Sequence, residues 1–144
     1  MGIFMRKHLL LCTLLLGVCA SSVAQEDKTA TIHIYRYKQM QGAVLRPSVY
    51  MDGVQIARIE NGRFYEMSVP AGEHTFYAED KQAGAVVTLE PGKDYYFRTD
   101  LQVGFWKGHF RLTMVMPEQG KFDIAKLKPL DKSSPPPSTG SALR

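Results

Sequence analysis

The sequence predicts an all-β fold: a single antiparallel β-sandwich of the immunoglobulin or transthyretin-like kind, with about seven to nine strands. Three observations predict it. Apolar residues alternate with polar ones at a period of two through most of residues 29–116, which is the pattern of strands with one buried face. Glycines at 53, 62, 72, 84, 92 and 108 recur mostly at the spacing with which a sandwich turns its strands. The length of 144 residues suits one domain, and 44% hydrophobic with 22% charged residues is enough to bury a core.

The centre of the domain is Ser48–Glu79, read as four short strands on three turns. Asp52-Gly53 most readily supplies the two positive φ angles of a tight hairpin. Asn61-Gly62 repeats the device, and Pro70-Ala71-Gly72 sets a fixed φ before a permissive one. Between the turns Val54 and Ile56 share a face. Tyr65, Met67 and Val69 oppose Glu66 and Ser68, and Phe76 and Ala78 oppose Thr75, Tyr77 and Glu79. Before this centre, Thr29–Tyr37 reads as a strand with Ile32, Ile34 and Arg36 on one face and His33, Tyr35 and Tyr37 on the other. Sizeable residues on both faces predict a strand covered on both sides. Residues 38–47 read as a loop.

After the centre, Ala85, Val87 and Leu89 continue the alternation, and Pro91-Gly92-Lys93-Asp94 is a turn. Tyr95, Phe97 and Leu101 then oppose Tyr96, Arg98 and Asp100, and Gly104–Gly108 is an aromatic loop. The strand His109–Met116 follows. Gly120–Leu130 reads equally as a closing strand or a turn of helix. The β-sandwich domain is placed at 29–130, and the Pro/Ser-rich residues 131–144 are expected to be a disordered tail.

Residues 1–24 have the layout of a secretory signal peptide. Arg6, Lys7 and His8 precede an apolar run from Leu9 to Val18, too short for the about 20 residues of a membrane-crossing helix. Ser22-Val23-Ala24 places small residues at a cleavage site. A second processing stays open, because Leu16-Gly17-Val18-Cys19 has the shape of a lipobox with Cys19 as the lipidated residue, although Val18 is branched where that motif wants a small side chain. The protein is therefore expected to be exported, periplasmic or extracellular, or else lipid-anchored to the envelope. Cys12 and Cys19 both fall in this segment, so the domain has no thiol for a disulfide, a metal or a nucleophile. Removing Arg6 and Lys7 takes the formal net charge from +4 to about +2, too weak and too interspersed for nucleic acid.

Several residue runs carry a family likeness. Val49-Tyr50-Met51-Asp52-Gly53, then Ile56 with Ile59 and Gly62, then Val69-Pro70-Ala71-Gly72-Glu73-His74, and finally Pro91-Gly92-Lys93-Asp94-Tyr95-Tyr96 resemble the bacterial domain of unknown function 2846. The Asp-Gly hairpin followed by a P-x-G-x-H turn also resembles the shorter PEGA-type repeat. The likeness covers about residues 30–130. It implies an exported, envelope-associated sandwich, and no activity comes with it.

The chemistry-bearing residues are sparse. His33, His74 and His109 lie on separate strands without metal-motif spacing, so no metal and no cofactor are expected. No G-x-S-x-G elbow places Ser48 or Ser68 as a nucleophile, no glycine-rich phosphate loop occurs, and Glu79-Asp80 reads as a solvated turn. No dense oxygen-ligand run suits calcium either. The chain is expected not to be an enzyme. Arg36, Arg98 and Arg111 are expected to pair across strands with Glu66, Asp94 or Asp100. Lys121, Lys126, Lys128 and Lys132 make a basic stretch that Asp123 and Asp131 dilute. The one recognition candidate is Phe105, Trp106, Lys107 and His109, whose rings suit a sugar face or a peptide, with Lys107 and His109 as donors. Against it stands Trp106 folded back as a lid on the sandwich.

Two functional expectations follow, with a third more distant. The first is a non-enzymatic interaction or structural module of the bacterial cell envelope, its partner an envelope protein or a glycan. The second is a glycan- or peptide-binding module using the 104–109 loop. The third is a hydrolase, which a histidine meeting two carboxylates in a cleft would favour. Membrane association is expected only through lipid at Cys19, and the oligomeric state stays open. An unpaired edge strand would add a route to a partner by strand addition.

Overall fold

The computed structural model describes residues 28–104 and 108–131. The expected signal peptide, Cys19 and the tail beyond Asp131 lie outside them.

Nine strands form two facing sheets among the described residues. In chain order they are β1 (Thr29–Tyr35), β2 (Ser48–Met51), β3 (Val54–Arg58), β4 (Arg63–Pro70), β5 (Gly72–Ala78), β6 (Ala85–Leu89), β7 (Asp94–Val103), β8 (Gly108–Val115) and β9 (Lys128–Pro129). The helix α1 (Pro117–Ile124) precedes β9, so both readings of Gly120–Leu130 are realised, first a helix and then a two-residue strand. One sheet runs β8-β7-β1-β4-β9 and the other β3-β2-β5-β6. The predicted sandwich is observed, with one refinement. The larger sheet is mixed, because β1 lies parallel to β7 and β9 parallel to β4, while the smaller sheet is antiparallel throughout.

The alternation in β1 explains its place in the middle. Ile32 and Ile34 are fully buried in the inter-sheet core with Val49, Ile59, Val69, Phe76 and Phe97. Phe76 of one sheet meets Phe97 of the other at 4.5 Å between ring centroids. Each such fully buried side chain stabilises the fold by roughly 1.5–3 kcal/mol relative to exposure. His33 and Tyr35 point the other way and are buried too, because the outer face of the sheet is covered. Tyr35 donates its hydroxyl to Asp123 of α1 at 2.5 Å, and Gln119 donates to the same carboxylate at 2.7 Å. Burial opposes the charge on Asp123, but these hydrogen bonds, that of Tyr37 and the nearby Arg98 guanidinium win, holding its pKa below the ordinary carboxylate value.

The turns behave differently from one another. Asp52 and Gly53 take positive φ, 51° and 82°, in the hairpin between β2 and β3, as their identities predict. At Asn61-Gly62 only the glycine does, with φ 72°, because this turn carries the chain from one sheet to the other. Asn61 instead clamps the loop after β1, accepting from the Gln39 N–H at 2.9 Å and donating to its carbonyl at 2.8 Å. Pro70-Ala71-Gly72 and Pro91-Gly92 are also crossovers between the sheets. Both are tied to the start of β1, through Ala71 N–H to Lys28 O and Gly92 N–H to Thr29 O, each 2.8 Å.

Two expectations about faces change. Val54 is 65% exposed while Ile56 and Ala57 are buried, because the β2–β3 register shifts between Val49 and Tyr50. Among the arginines expected to form charge pairs across strands, Arg98 pairs instead within its own strand, with Asp100 at 2.8 Å. Arg111 is exposed and sits opposite Asp100 in register. Arg36 is 1% exposed and faces carbonyl oxygens in place of a carboxylate.

A β-carbon at Gly120 would overlap the Tyr96 ring, so α1 sits on the sheet at the distance only glycine allows. On a free helix Gly→Ala stabilises by about 0.5–1 kcal/mol. Gly120→Ala is expected to do the reverse here, lowering stability by about 1–3 kcal/mol in urea unfolding through overpacking. A variant as stable as the parent or more so would mean that α1 does not pack as described.

Candidate functional site

At the end of the sandwich where β1, β3, β5 and β7 finish and β8 begins, the two sheets part around a cleft of ≈ 610 Å³. That is within the range of roughly 300–1,000 Å³ typical of ligand sites. The larger sheet supplies an apolar wall of Leu101, Val103, Gly108 and Phe110, and the smaller sheet supplies Arg58 and Glu79. The loop after β1 closes the third side with Gln41, Gly42, Leu45 and Arg46.

The loop is fastened by Arg36, the residue that continues β1. Its backbone N–H bonds to Arg63 O at 3.0 Å, and its guanidinium turns inward, donating from Nη1 to Leu45 O at 2.7 Å and from Nη2 to Gly42 O at 2.8 Å. The guanidinium also lies over the Phe110 ring, 4.9 Å from its centroid. Burial pulls the Arg36 pKa down from its ordinary value. Gly42 takes φ 68°, and a β-carbon there would press on Leu101, so the loop meets the wall at a residue that only glycine fits. Arg46 reaches Glu60 at 3.4 Å, and Ile59 N–H bonds to Pro47 O at 3.0 Å, fixing the loop's far end. The tip projects, with Met40 98% and Val44 89% exposed. Glu79 adopts φ 56°, a left-handed conformation uncommon for a residue with a β-carbon, which sets its carboxylate at the rim.

The family model described as "Protein of unknown function (DUF2846)" matches residues 26–110 of this chain. The chain belongs to that family. The matched span contains every described residue that lines the cleft and stops before α1. An "Uncharacterized protein" of Haemophilus influenzae (strain ATCC 51907 / DSM 11121 / KW20 / Rd) is 28% identical over 141 residues, covering 87% of this chain and 83% of its own length. No solved structure matches.

In this member of the DUF2846 family, the predicted recognition residues fall as follows. Phe105, Trp106 and Lys107 lie outside the described residues. His109 is exposed on β8, opposite Gln102 of β7, and does not line the cleft. Val103 and Gly108, on either side of that segment in the sequence, line the cleft. Sequence reasoning missed Arg36, Arg46, Arg58 and Glu79. The available signal was Arg36 itself, which the alternation places on the apolar face beside Ile32 and Ile34.

The other histidines have partners of their own. His33 stacks on Tyr96 with centroids 4.4 Å apart and planes 4° from parallel. Glu66 approaches its Nδ1 at 3.2 Å, and Asp94 approaches its Nε2 at 3.6 Å. These are the carboxylates expected to pair with arginines. They approach the ring from opposite edges and so cannot share one ion with it, and among the described residues no group of three such side chains could hold a metal. A histidine does meet two carboxylates, but on the outer face of the larger sheet and away from the cleft.

His74 locks two turns together. Its Nδ1 is 2.6 Å from Asp52 Oδ2, and its Nε2 is 2.9 Å from Pro70 O, while Asp52 Oδ1 accepts the Thr75 N–H at 2.8 Å. Both partners of the ring are acceptors when Asp52 is ionised, so both ring nitrogens must carry protons and the ring is cationic. The Asp52 hydrogen bond holds the His74 pKa above its ordinary value, and His74 together with the Thr75 N–H holds Asp52 below its own. The histidine contribution is present below about pH 6.5 and fades as pH rises through the raised folded pKa. The aspartate contribution is present above about pH 3.9 and fades as pH falls through the lowered one. Stabilisation by the pair is therefore greatest between those values. His74→Gln is expected to lose about 1 kcal/mol at pH 5.5 and less at pH 9, measured by urea unfolding at both. An equal loss at the two pH values would contradict a cationic lock.

Proposed function

We propose that this protein is an exported, non-enzymatic module of the bacterial cell envelope that works by contact, with the cleft at the end of the sandwich as its contact site. The observation that carries the reading is the composition of that cleft. It has the volume of a ligand site and walls tied by hydrogen bonds, yet its ionisable lining is Arg46, Arg58 and Glu79. Among the described residues that line it there is no histidine, cysteine, serine or threonine and a single carboxylate, Glu79, so they supply neither a hydroxyl or thiol beside a base nor a pair of carboxylates. The His33 cluster supports a hydrolase no better, because it lies on the outer face of the larger sheet, and none of His33, Glu66 and Asp94 lines the cleft. Export is supported by the signal-peptide layout of residues 1–24.

A second reading, a glycan- or peptide-binding module, is favoured by one observation: Val103 and Gly108, which bracket the aromatic loop, also line the cleft. Both readings are tested on the protein made from its whole sequence in a bacterium. It is expected in the periplasmic or envelope fraction, beginning at Gln25 or at a lipidated Cys19. Trp106, the single tryptophan, then serves as the fluorescence probe through its emission and its quenching by acrylamide. Protection by peptidoglycan fragments or one of a panel of glycans is the expected result for a binding module. Recovery from the cytoplasm with residues 1–24 intact would contradict export, and a signal indifferent to every ligand would leave only a structural role.

A further inference from the structure

We propose that the cleft binds the oxyanion, carboxylate or phosphate, of a small acidic ligand. The inference rests on the reading of the cleft as the contact site and adds the chemical class of what it takes. Three arginines converge there. Arg46 and Arg58 stand in the wall, and Arg36 lies immediately behind it, touching Gly42, Leu45 and Phe110, which are all lining residues.

Arg36 is the decisive group. At 1% exposure it brings a full positive charge into the fold, and among the described residues no carboxylate reaches it. Its partners are two peptide carbonyls, which carry only partial charge, and its Nε has no hydrogen-bond partner among the described residues. A buried arginine without a counter-ion is costly and persists where its charge is used. Thr99, on the inward face of β7, likewise has a buried hydroxyl without a partner.

The field of Arg36 emerges into a cleft whose larger-sheet wall is apolar, and such low-dielectric walls strengthen and focus it. Arg58, at the end of β3, has no carboxylate within ion-pair distance among the described residues, so its fork is available for bidentate contact with an oxyanion. Two carboxylates oppose this. Glu60 is already engaged by Arg46 at 3.4 Å, and Glu79 stands at the rim. Leu101, Val103 and Phe110 would receive the apolar body of the ligand, or one face of a sugar ring.

Amide ¹H–¹⁵N spectra of the purified protein test this with three probes: pyrophosphate, glucuronic acid and neutral glucose. Saturable shifts confined to Gly42, Leu45, Arg58, Glu79 and Phe110 are expected with pyrophosphate, glucuronate or both, and none with glucose. The two acidic probes separate a phosphate ligand from a carboxylate one. Arg58→Gln, an exposed position that should leave the spectrum dispersed, is expected to weaken binding about tenfold or more, and Glu79→Gln to strengthen it a few-fold. Added salt should weaken it as well. Glucose binding as well as glucuronate would overturn the anion preference while leaving the cleft as a contact site. Shifts scattered over surface lysines, or unchanged by Arg58→Gln, would overturn the proposal. Silence towards all three probes, with Trp106 still protected by a neutral glycan, would do the same without touching the broader reading.

Discussion

The burial of β1 on both faces is the constraint on which the other layers depend. One face, Ile32 and Ile34, fills the space between the sheets, and the other, His33 and Tyr35, lies beneath Tyr96 and the Asp123 of α1. A strand in that position cannot bond only to its sequence neighbours. It pairs antiparallel with β4 and parallel with β7, and the parallel pairing forces the intervening chain to leave, build the smaller sheet and return. The crossover turns at Ala71 and Gly92 hydrogen-bond to Lys28 and Thr29 at the start of β1, so the same strand also fixes the geometry of the sandwich at its opposite end from the cleft.

The cleft is the other consequence of this placement. Where β1 ends, Arg36 continues its inward face, and an arginine there cannot be left to an apolar core. Its hydrogen bonds hold the loop of residues 38–47 across the open end, and Asn61 and Glu60 fasten that loop from the crossover after β3. What holds the cleft together therefore also gives it its charge. The account of function rests on this coincidence of scaffold and electrostatics, since membership of the DUF2846 family brings a shared domain and no stated activity.

Much of this was legible in the residues, and the failures have physical causes. The period of two in β4, the Asp52-Gly53 hairpin and the double-sided character of β1 all follow from local chemistry and are observed. Asn61-Gly62 was misleading because a short turn between strands looks the same whether the strands pair or lie in different sheets, and only long-range packing decides. Val54 changed face through a register shift that no single-strand pattern encodes. Helix α1 is short, starts at a proline without a side-chain cap and has little amphipathic pattern, so its existence depends on Tyr35 and Tyr96 beneath it. Of the site, the alternation puts Arg36 on the face of Ile32 and Ile34, but a charged residue there reads as a surface pair, and the partner carbonyls at Gly42 and Leu45 belong to a loop whose course the sequence does not specify.

The most direct measurement of the central claim, that β1 carries both layers as one unit, is native-state hydrogen exchange of the purified protein across a series of low urea concentrations. The account predicts that the amides of Ile32, Ile34 and Phe97 exchange only through global unfolding, with an opening free energy and urea dependence equal to those of the whole domain. Exchange of Ile32 and Ile34 through a smaller opening, while the amides of β5 and β6 stay protected, would contradict it.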